Sequence, residues 1–497
     1  MGSMRLFSPG HIGKLRLKNR GIMAPMSTGF ANHDGTPSPR MIRYYEERAK
    51  GGVGAIITEY MGVDDVDSVV SDHQLMAARN FQISALEQLT EAVHRHDCLV
   101  FAQLHHGGNT ADPALSGRQP LSPSDAPASP GRTVPRPMTA DEIHTVVDKF
   151  IQAAERCKKA GYDGVEIHCA HSYLLGQFLS PYYNKRTDDY GGSLEDRVRI
   201  VEEIIRGIRA KLGAAYPILV RMSGDELTPD VPGTLTLQDG LEIAQRLEQI
   251  GIDALDISNG SSLNPNANCD PYSYQPGWKK HIAAAYKAAA KIPVIATNTI
   301  KTPEFAESLL EEGVCDFVGL GRSQFADPHF MNKAKAGKSD QVRNCIGCMY
   351  CRERVVAQRL PAACAVDPLT GREYCLGDLK KNGAGRRVAV IGGGPGGMEA
   401  ALVLAKRKFD VTLFEKEEAL GGTLNLADKP PFKGTITRLT SAMSAELEAA
   451  GVHVQLGTTA TPDLMDSFAP AAIFLASGAA PIIPPIPGVK NERVWRE

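Results

Sequence analysis

Apolar positions change their period in a regular way along this chain. Up to about residue 335, short β-branched runs alternate with longer stretches in which apolar residues recur every three or four positions. The runs are Gly21–Ala24, Gly54–Thr58, Leu99–Gln103, Gly164–His168, Ile218–Met222, Ala254–Ser258, Val294–Ala296 and Phe317–Leu320. Helical periodicity falls between them at Ile83–His96, Asp141–Ala160, Asp196–Leu212, Gln238–Ile250 and Pro303–Glu312. Strands separated by helices indicate βα units around a parallel sheet. Eight such units predict an α/β fold, a closed (β/α)8 TIM barrel with its functional groups on the loops after the strands.

The pattern then breaks twice. His106–Pro137, after the third run, is dense in Pro, Ser and Gly and too long for a passive connection, so a lid over the barrel mouth is expected. Beyond the barrel, residues 340–380 carry Cys345, Cys348, Cys351 and Cys364 in a C-x2-C-x2-C-x12-C arrangement. Zinc sites usually pair two C-x2-C knuckles, whereas three bunched thiols and one distant one suit the corners of an iron–sulfur cube. Lys380–Gly385 reads as a linker, and from Arg387 a second α/β pattern begins. A strand at Val388–Ile391 runs into Gly392-Gly-Gly394-Pro-Gly-Gly397, then a helix at Met398–Lys406 and a strand at Val411–Phe414 that ends on Glu415. Glycines that let backbone approach a pyrophosphate, followed by an acid placed for a ribose, are the dinucleotide fingerprint. Gly422 is assigned to the same site. The organisation expected is a barrel over 1–335, an iron–sulfur segment over 336–380 and a partial Rossmann-like domain over 386–497.

Composition narrows the partners. The formal net charge is -2 across 497 residues with no Lys/Arg-rich run, so nothing draws the protein to nucleic acid or an acidic membrane surface. The N-terminus lacks a secretory pattern, and no apolar run reaches the ~20 residues of a membrane span. Ten cysteines in a chain of this length are too dilute for a disulfide scaffold. A cytoplasmic protein working on small molecules is expected.

Candidate chemistry gathers on the barrel strands. His168, His171 and Tyr173 follow the fourth run, where two imidazoles can polarise a carbonyl oxygen and a phenol can supply a proton. A single histidine is as often structural as functional, but three such groups on one rim favour a site. Gln103 on the third strand can pair with the pyrimidine edge of a flavin, and Arg221 on the fifth can hold the negative charge of the reduced ring. Gly319-Leu-Gly321-Arg322, after the eighth run, is a candidate phosphate site.

Several segments together resemble the Old Yellow Enzyme family of FMN barrels: Ala24-Pro-Met-Ser27, Gln103-Leu-His-His-Gly-Gly108, the strand-four segment, Tyr190-Gly-Gly-Ser-Leu-Glu-Asp-Arg197 and Gly319-Leu-Gly-Arg322. The cysteine quartet and the following fingerprint point to its multidomain branch, which contains 2,4-dienoyl-CoA reductase, 2-enoate reductase and trimethylamine dehydrogenase. The resemblance implies FMN on the barrel, surrounded by Pro25, Met26, Ser27, Tyr60, Gln103, Arg221, Gly321 and Arg322. Where many relatives have Gly-Gly after strand seven, this chain has Ala296-Thr-Asn298, so Asn298 is expected at the phosphate. The resemblance also implies His168 and His171 as the carbonyl clamp, Tyr173 as proton donor and the four cysteines as [4Fe-4S] ligands. FAD, ADP or NAD(P) is implied at the C-terminal fingerprint.

The activity implied is ene-reduction of an enone, enoate or enoyl thioester at the expense of NAD(P)H, with electrons relayed through the cluster and homo-oligomeric assembly left open. Two alternatives accompany it. An amine dehydrogenase or N-demethylase resembling trimethylamine dehydrogenase would pass electrons to a protein acceptor. The closer cysteine spacing and Tyr60 favour it, but an aromatic cage for a methylated ammonium lacks tryptophans other than Trp278 and Trp495. A non-catalytic flavin-binding relic is the other, since complete relatives continue into a nucleotide-reducing domain and return to finish the FAD domain.

Overall fold

The structure, a computed structural model, describes residues 4–297, 299–479, 482, 484–489 and 491. It divides into two compact units, Met1–Asp378 and Leu379–Glu497. In the first, eight parallel strands form a ring: β1 (Gly21–Met23), β2 (Ala55–Ile57), β3 (Leu99–His105), β4 (Gly164–Cys169), β5 (Ile218–Ser223), β6 (Ala254–Ser258), β7 (Val294–Ala296) and β8 (Phe317–Leu320). Each pairs with the next, and β8 returns to β1. The expected barrel is therefore present, with every expected strand in place.

Seven helices clothe the ring: α1 (Pro39–Lys50), α2 (Ile83–His94), α3 (Ala140–Lys159), α4 (Leu194–Leu212), α5 (Leu237–Ile250), α6 (Lys280–Ala289) and α7 (Pro303–Glu311). Their starts have local causes. Thr139 caps α3 and Thr236 caps α5, each in a reciprocal box with an acid three residues on, Glu142 and Asp239. Helices α1 and α6 had no counterpart in the sequence reading. In α1 the buried stripe is Met41, Tyr44, Tyr45, Arg48 and Ala49, which has helical spacing but places two phenols and a guanidinium where aliphatics would signal a core face.

The barrel interior has two layers. Ile22, Ile57, Phe101, Leu219, Ala254, Ile295 and Phe317 fill the lower one with Ile12 and Leu17, which come from an N-terminal antiparallel ribbon, Gly10–Ile12 with Leu15–Leu17. The ribbon thereby plugs the N-terminal end of the barrel. Further along β3 to β6 the inward positions turn polar: Phe101 gives way to Gln103 and His105, Leu219 to Arg221, Ala254 to Asp256, and Gly164 to Glu166 and His168. The segment 106–137 is ordered around a short helix, Pro113–Ser116, and the pair Leu121–Ser122 with Arg136–Pro137. It is pinned from the loop after β4, where Gln177 Oε1 accepts from Ser122 Oγ at 3.2 Å and Tyr183 OH donates to the Ala128 carbonyl at 3.0 Å.

The cysteine segment belongs to the same compact unit as the barrel. Arg48 of α1 forms an ion pair with Glu373 of α8 (Glu373–Leu376), both side chains fully or almost fully buried, and its guanidinium carbon lies 3.7 Å from the Tyr44 ring centre. The Ala362 N–H donates to the Thr28 carbonyl at 2.8 Å, tying the stretch before Cys364 to the loop after β1.

The second unit is a four-stranded parallel sheet, in the order β11 (His453–Gln455), β10 (Asp410–Phe414), β9 (Arg387–Ile391), β12 (Ala472–Leu475). Helix α9 (Pro395–Lys406) follows β9 directly, and α10 (Gly434–Ala449) packs on α9.

Breaking a buried ion pair by removing one partner leaves the other charge stranded, at a cost of about 3–5 kcal/mol. Arg48→Met should therefore lower the thermal midpoint of the first unit sharply, and the double variant Arg48→Met with Glu373→Leu should recover most of the loss. Calorimetry of the three proteins checks this; a double variant no better than the single one would deny that the pair is what holds α8.

Candidate active site

The C-terminal mouth of the barrel opens into a cavity of about 250 Å³. Its walls bring together Pro25, Met26, Ser27, Tyr60, Gln103, His168, His171, Tyr173, Arg221, Gly321 and Arg322, together with Cys345 and Cys351. Residues spread from the first strand to the cysteine segment thus face one space. Asn298 lies outside the described residues.

Strand register explains the layer of polar groups. Gln103 stands opposite Glu166, and Arg221 stands between His168 and Asp256. Gln103 Nε2 donates to Glu166 Oε1 at 2.8 Å, and Arg221 donates to Asp256 Oδ2 at 2.5 Å. Burial pushes the Glu166 carboxyl well up, the charge of Asp256 adds to this, and Arg221 opposes both. Arg221 pairs with Asp256 alone, and burial raises that carboxyl as well. Arg221 Nε has no partner among the described residues, while the Glu166 and Asp256 carboxyls also interact with each other. Arg221 and Gln103 both line the cavity, and an unpartnered guanidinium N–H beside a side-chain amide suits a planar group with donors and acceptors along its edge, and so fits a flavin.

The two imidazoles are neutral groups here. Burial pulls His168 well below the usual histidine range, with His171 and Arg221 adding to it; burial does the same to His171, helped by Arg221 and Lys279. The Ala170 N–H donates to His168 Nδ1 at 3.2 Å, so the ring carries its proton on Nε2. His171 Nε2 is 2.6 Å from Ser258 Oγ at the end of β6, which fixes that ring as well. The chain bends sharply to present them. His171 and Ser172 are both left-handed, with φ of 61° and 60°, a strain of about 1–3 kcal/mol for each non-glycine residue. Hydrogen bonds from the His171 N–H to Ser223 Oγ at 3.1 Å and from Gln177 Nε2 to the Ser172 carbonyl at 2.6 Å hold the bend.

Tyr173 closes the group, its ring centre 4.9 Å from that of His168. Burial raises its phenol, which stays protonated at any working pH. His105 is a residue that the sequence reading passed over. Its ring lies edge-on to Tyr173 at 4.3 Å and 4.6 Å from Tyr60, and both its nitrogens are buried without a partner. The available signal was the strand period, since His105 continues the inward series of Phe101 and Gln103. Glu59, next to Tyr60, was missed too. It accepts from the Thr28 N–H at 2.9 Å and from the Thr28 hydroxyl, and burial pushes it up to about 8.

On β8, Gly319 has no room for a side chain, because a Cβ there would lie 2.3 Å from Thr297 Cγ2. Arg322 donates to the Asp270 carbonyl at 2.5 Å. Cys345, Cys351 and Cys364 are close enough to influence one another's ionisation, and burial pushes both Cys351 and Cys364 up to about 12. The Gly347 N–H points at Cys345 Sγ and the Val366 N–H at Cys364 Sγ, each at 3.4 Å, the donors that tune sulfur in iron–sulfur sites. Cys348 is exposed, and among the described residues no group of three or more His, Cys, Asp or Glu side chains forms a site for a single metal ion. Cys345, Cys351 and Cys364 thus lie within electrostatic reach of one another, with N–H groups 3.4 Å from two of the sulfurs, while Cys348 stands exposed.

In the second unit Gly392, Gly394, Gly397, Glu415 and Gly422 come together at the end of β9. Gly392 is left-handed with φ of 107°, and a Cβ on Gly397 would lie 1.9 Å from the Gly392 carbonyl oxygen. Nothing lies within 4 Å of where a Cβ on Gly394 or Gly396 would be, an open cradle at the start of α9. The Glu415 carboxylate accepts from the Gly393 N–H at 2.5 Å and the Glu417 N–H at 2.9 Å.

The comparisons with known proteins agree with this geometry. The NADH:flavin oxidoreductase / NADH oxidase family matches residues 5–341, and a pyridine nucleotide-disulphide oxidoreductase family matches residues 386–496. The chain is 41% identical to an NADH oxidase of Thermoanaerobacter brockii, over 99% of this chain and 75% of that protein. It is 35% identical to an N,N-dimethylglycine/sarcosine dehydrogenase of Chromohalobacter salexigens, over 97% and 70%, and 35% identical to a cinnamate reductase of Clostridium sporogenes, over 96% and 74%. Among the described residues no helix is long and apolar enough to cross a membrane.

Glu59 gives the site a pH signature. Its value in the fold, about 8, lies above the ordinary 4.5, so the fold favours the protonated acid. That contribution is full below pH 4.5 and is lost as pH rises through about 8. Glu59→Gln, which keeps the hydrogen bonds but cannot ionise, should gain stability relative to the parent across this window. Thermal midpoints taken from pH 5 to 9 test it; parallel curves for the two proteins would show that Glu59 does not titrate there.

Proposed function

The chain belongs to the NADH:flavin oxidoreductase / NADH oxidase family, and from that premise we propose that it is an FMN-dependent ene-reductase acting on an α,β-unsaturated carbonyl compound. The observation that carries this reading is the pair of neutral imidazoles beside a protonated Tyr173 on a cavity lined by Arg221 and Gln103. Bound FMN supplies a hydride and a [4Fe-4S] cluster supplies one-electron relay to it. Pro25, Met26, Ser27, Gln103, Arg221, Gly321 and Arg322 would hold the flavin, and Cys345, Cys348, Cys351 and Cys364 the cluster. The open glycine cradle of the second unit supports FAD or a pyridine nucleotide there.

The protein groups divide the work. His168 Nε2–H and the His171 ring donate hydrogen bonds to the substrate's carbonyl oxygen, drawing electron density from the double bond so that its β carbon can accept a hydride. Tyr173 gives its phenolic proton to the α carbon, which completes the saturated product. A charged imidazolium would bind a carboxylate more tightly, but it would hold ground state and transition state alike. Neutral donors in a buried site gain most as the oxygen becomes an enolate.

One observation favours a second reading. Tyr60 and Tyr173 line the cavity with their ring centres 5.8 Å apart, aromatic surface of the kind an alkylated ammonium would require, and one relative is named as a dimethylglycine/sarcosine dehydrogenase. In that reading the same cavity oxidises an amine.

Tyr173→Phe separates the two halves of the proposed cycle. Anaerobic stopped-flow should show flavin reduction by NAD(P)H at the parental rate, with reoxidation by cinnamate or a cyclic enone slowed about 10²–10⁴-fold, the usual weight of a positioned general acid. If the flavin of the parent is bleached by dimethylglycine and no enone or enoate reoxidises it, amine oxidation is the activity.

A further inference from the structure

Where the cavity meets the cysteine segment, three cations surround one carboxylate. Lys279, 2% exposed, forms an ion pair with Asp270 Oδ1 at 3.1 Å. Trp278 Nε1 donates to the same oxygen at 3.1 Å, and the Thr299 hydroxyl donates to Oδ2. Arg322 reaches only the Asp270 backbone carbonyl. Asp270 is thus fully engaged, and its charge is matched by Lys279.

Lys301 is left over. It is 4% exposed, lines the cavity beside Cys345 and Cys351, and makes no hydrogen bond or ion pair with a described residue. Its ammonium faces the cavity with no described carboxylate paired to it. Burial pulls it down, and the largest influence that opposes this is Cys345, ahead of Asp270. Cys345 and Cys351 line the same cavity as Lys301, and their sulfurs would be thiolates in a cluster.

We infer that Lys301 is the counter-charge of the cysteine-bound cluster and sets its reduction potential. The inference rests on the reading of Cys345, Cys348, Cys351 and Cys364 as cluster ligands. Each one-electron reduction adds a negative charge to the group those thiolates carry. A fixed cation in a poorly screened place stabilises the reduced form more than the oxidised one, because the attraction grows with the charge. Lys301 is a positioning charge, and takes no part in bond making.

The test is dye-mediated potentiometry on the anaerobically purified full chain, following the reduced cluster by electron paramagnetic resonance, with iron and FMN counted in each sample. Lys301→Gln should move the cluster midpoint to lower potential by about 59 mV, the value of a tenfold loss in stabilisation of the reduced form for a one-electron couple. Iron and FMN content should stay at parental levels, and Lys301→Arg should restore the midpoint. If the Gln protein does not accumulate, Lys301→Met, similar in length and uncharged, is read in the same way. An unmoved midpoint in iron-replete Gln or Met protein overturns the inference. So does loss of FMN with an unmoved midpoint, which would make Lys301 a phosphate ligand. Parent protein that lacks iron refutes the cluster reading itself, a separate failure.

Discussion

A barrel strand turns every second side chain inward, and on β3 to β6 that alternation carries the chain from a packed apolar layer to a layer of ionisable groups within two residues. Everything at the mouth depends on this step. The lower layer is filled by Phe101, Leu219, Ala254, Ile295 and Phe317, which exclude water from below. Gln103, Glu166, Arg221 and Asp256 are then held over a dry floor, in a register set by backbone pairing. Interactions that water would weaken keep their strength there.

The same dryness decides protonation. His168 and His171 stay neutral because burial and the neighbouring cations penalise a further positive charge. Burial, with the charge of Asp256, holds the Glu166 carboxyl well above the usual carboxylate range against the pull of Arg221. The site thus offers N–H and O–H donors over the cavity and a fixed cation, Arg221, beneath it. This division suits a reaction in which negative charge appears at two places, on a substrate oxygen and on a ring below it.

Much of the fold was legible in the sequence, since β-branched runs at regular spacing leave few alternatives to a βα barrel. Helix α1 was not, because Tyr44, Tyr45 and Arg48 stand at its core positions and hide a helical stripe from any reading that weighs aliphatics. The rim residues His168, His171 and Tyr173 could be read because they follow a strand directly. Ser258 and Lys301 could not, since their importance comes from neighbours distant in the chain, His171 in one case and the cysteine segment in the other. The spacing of the four cysteines suggested a cluster, while their unequal exposure, with Cys348 outward and Cys345, Cys351 and Cys364 partly covered, is a property of packing alone.

The N-terminal ribbon has a bearing on traffic through the site. With Ile12 and Leu17 seated in the lower layer, the barrel is a vessel with one door. Whatever reaches Arg221 and the histidines arrives and departs by that door, above a cavity of about 250 Å³. A reductant and an oxidant that both need that space must take turns, so the order of events is imposed by the shape of the room before any chemistry begins.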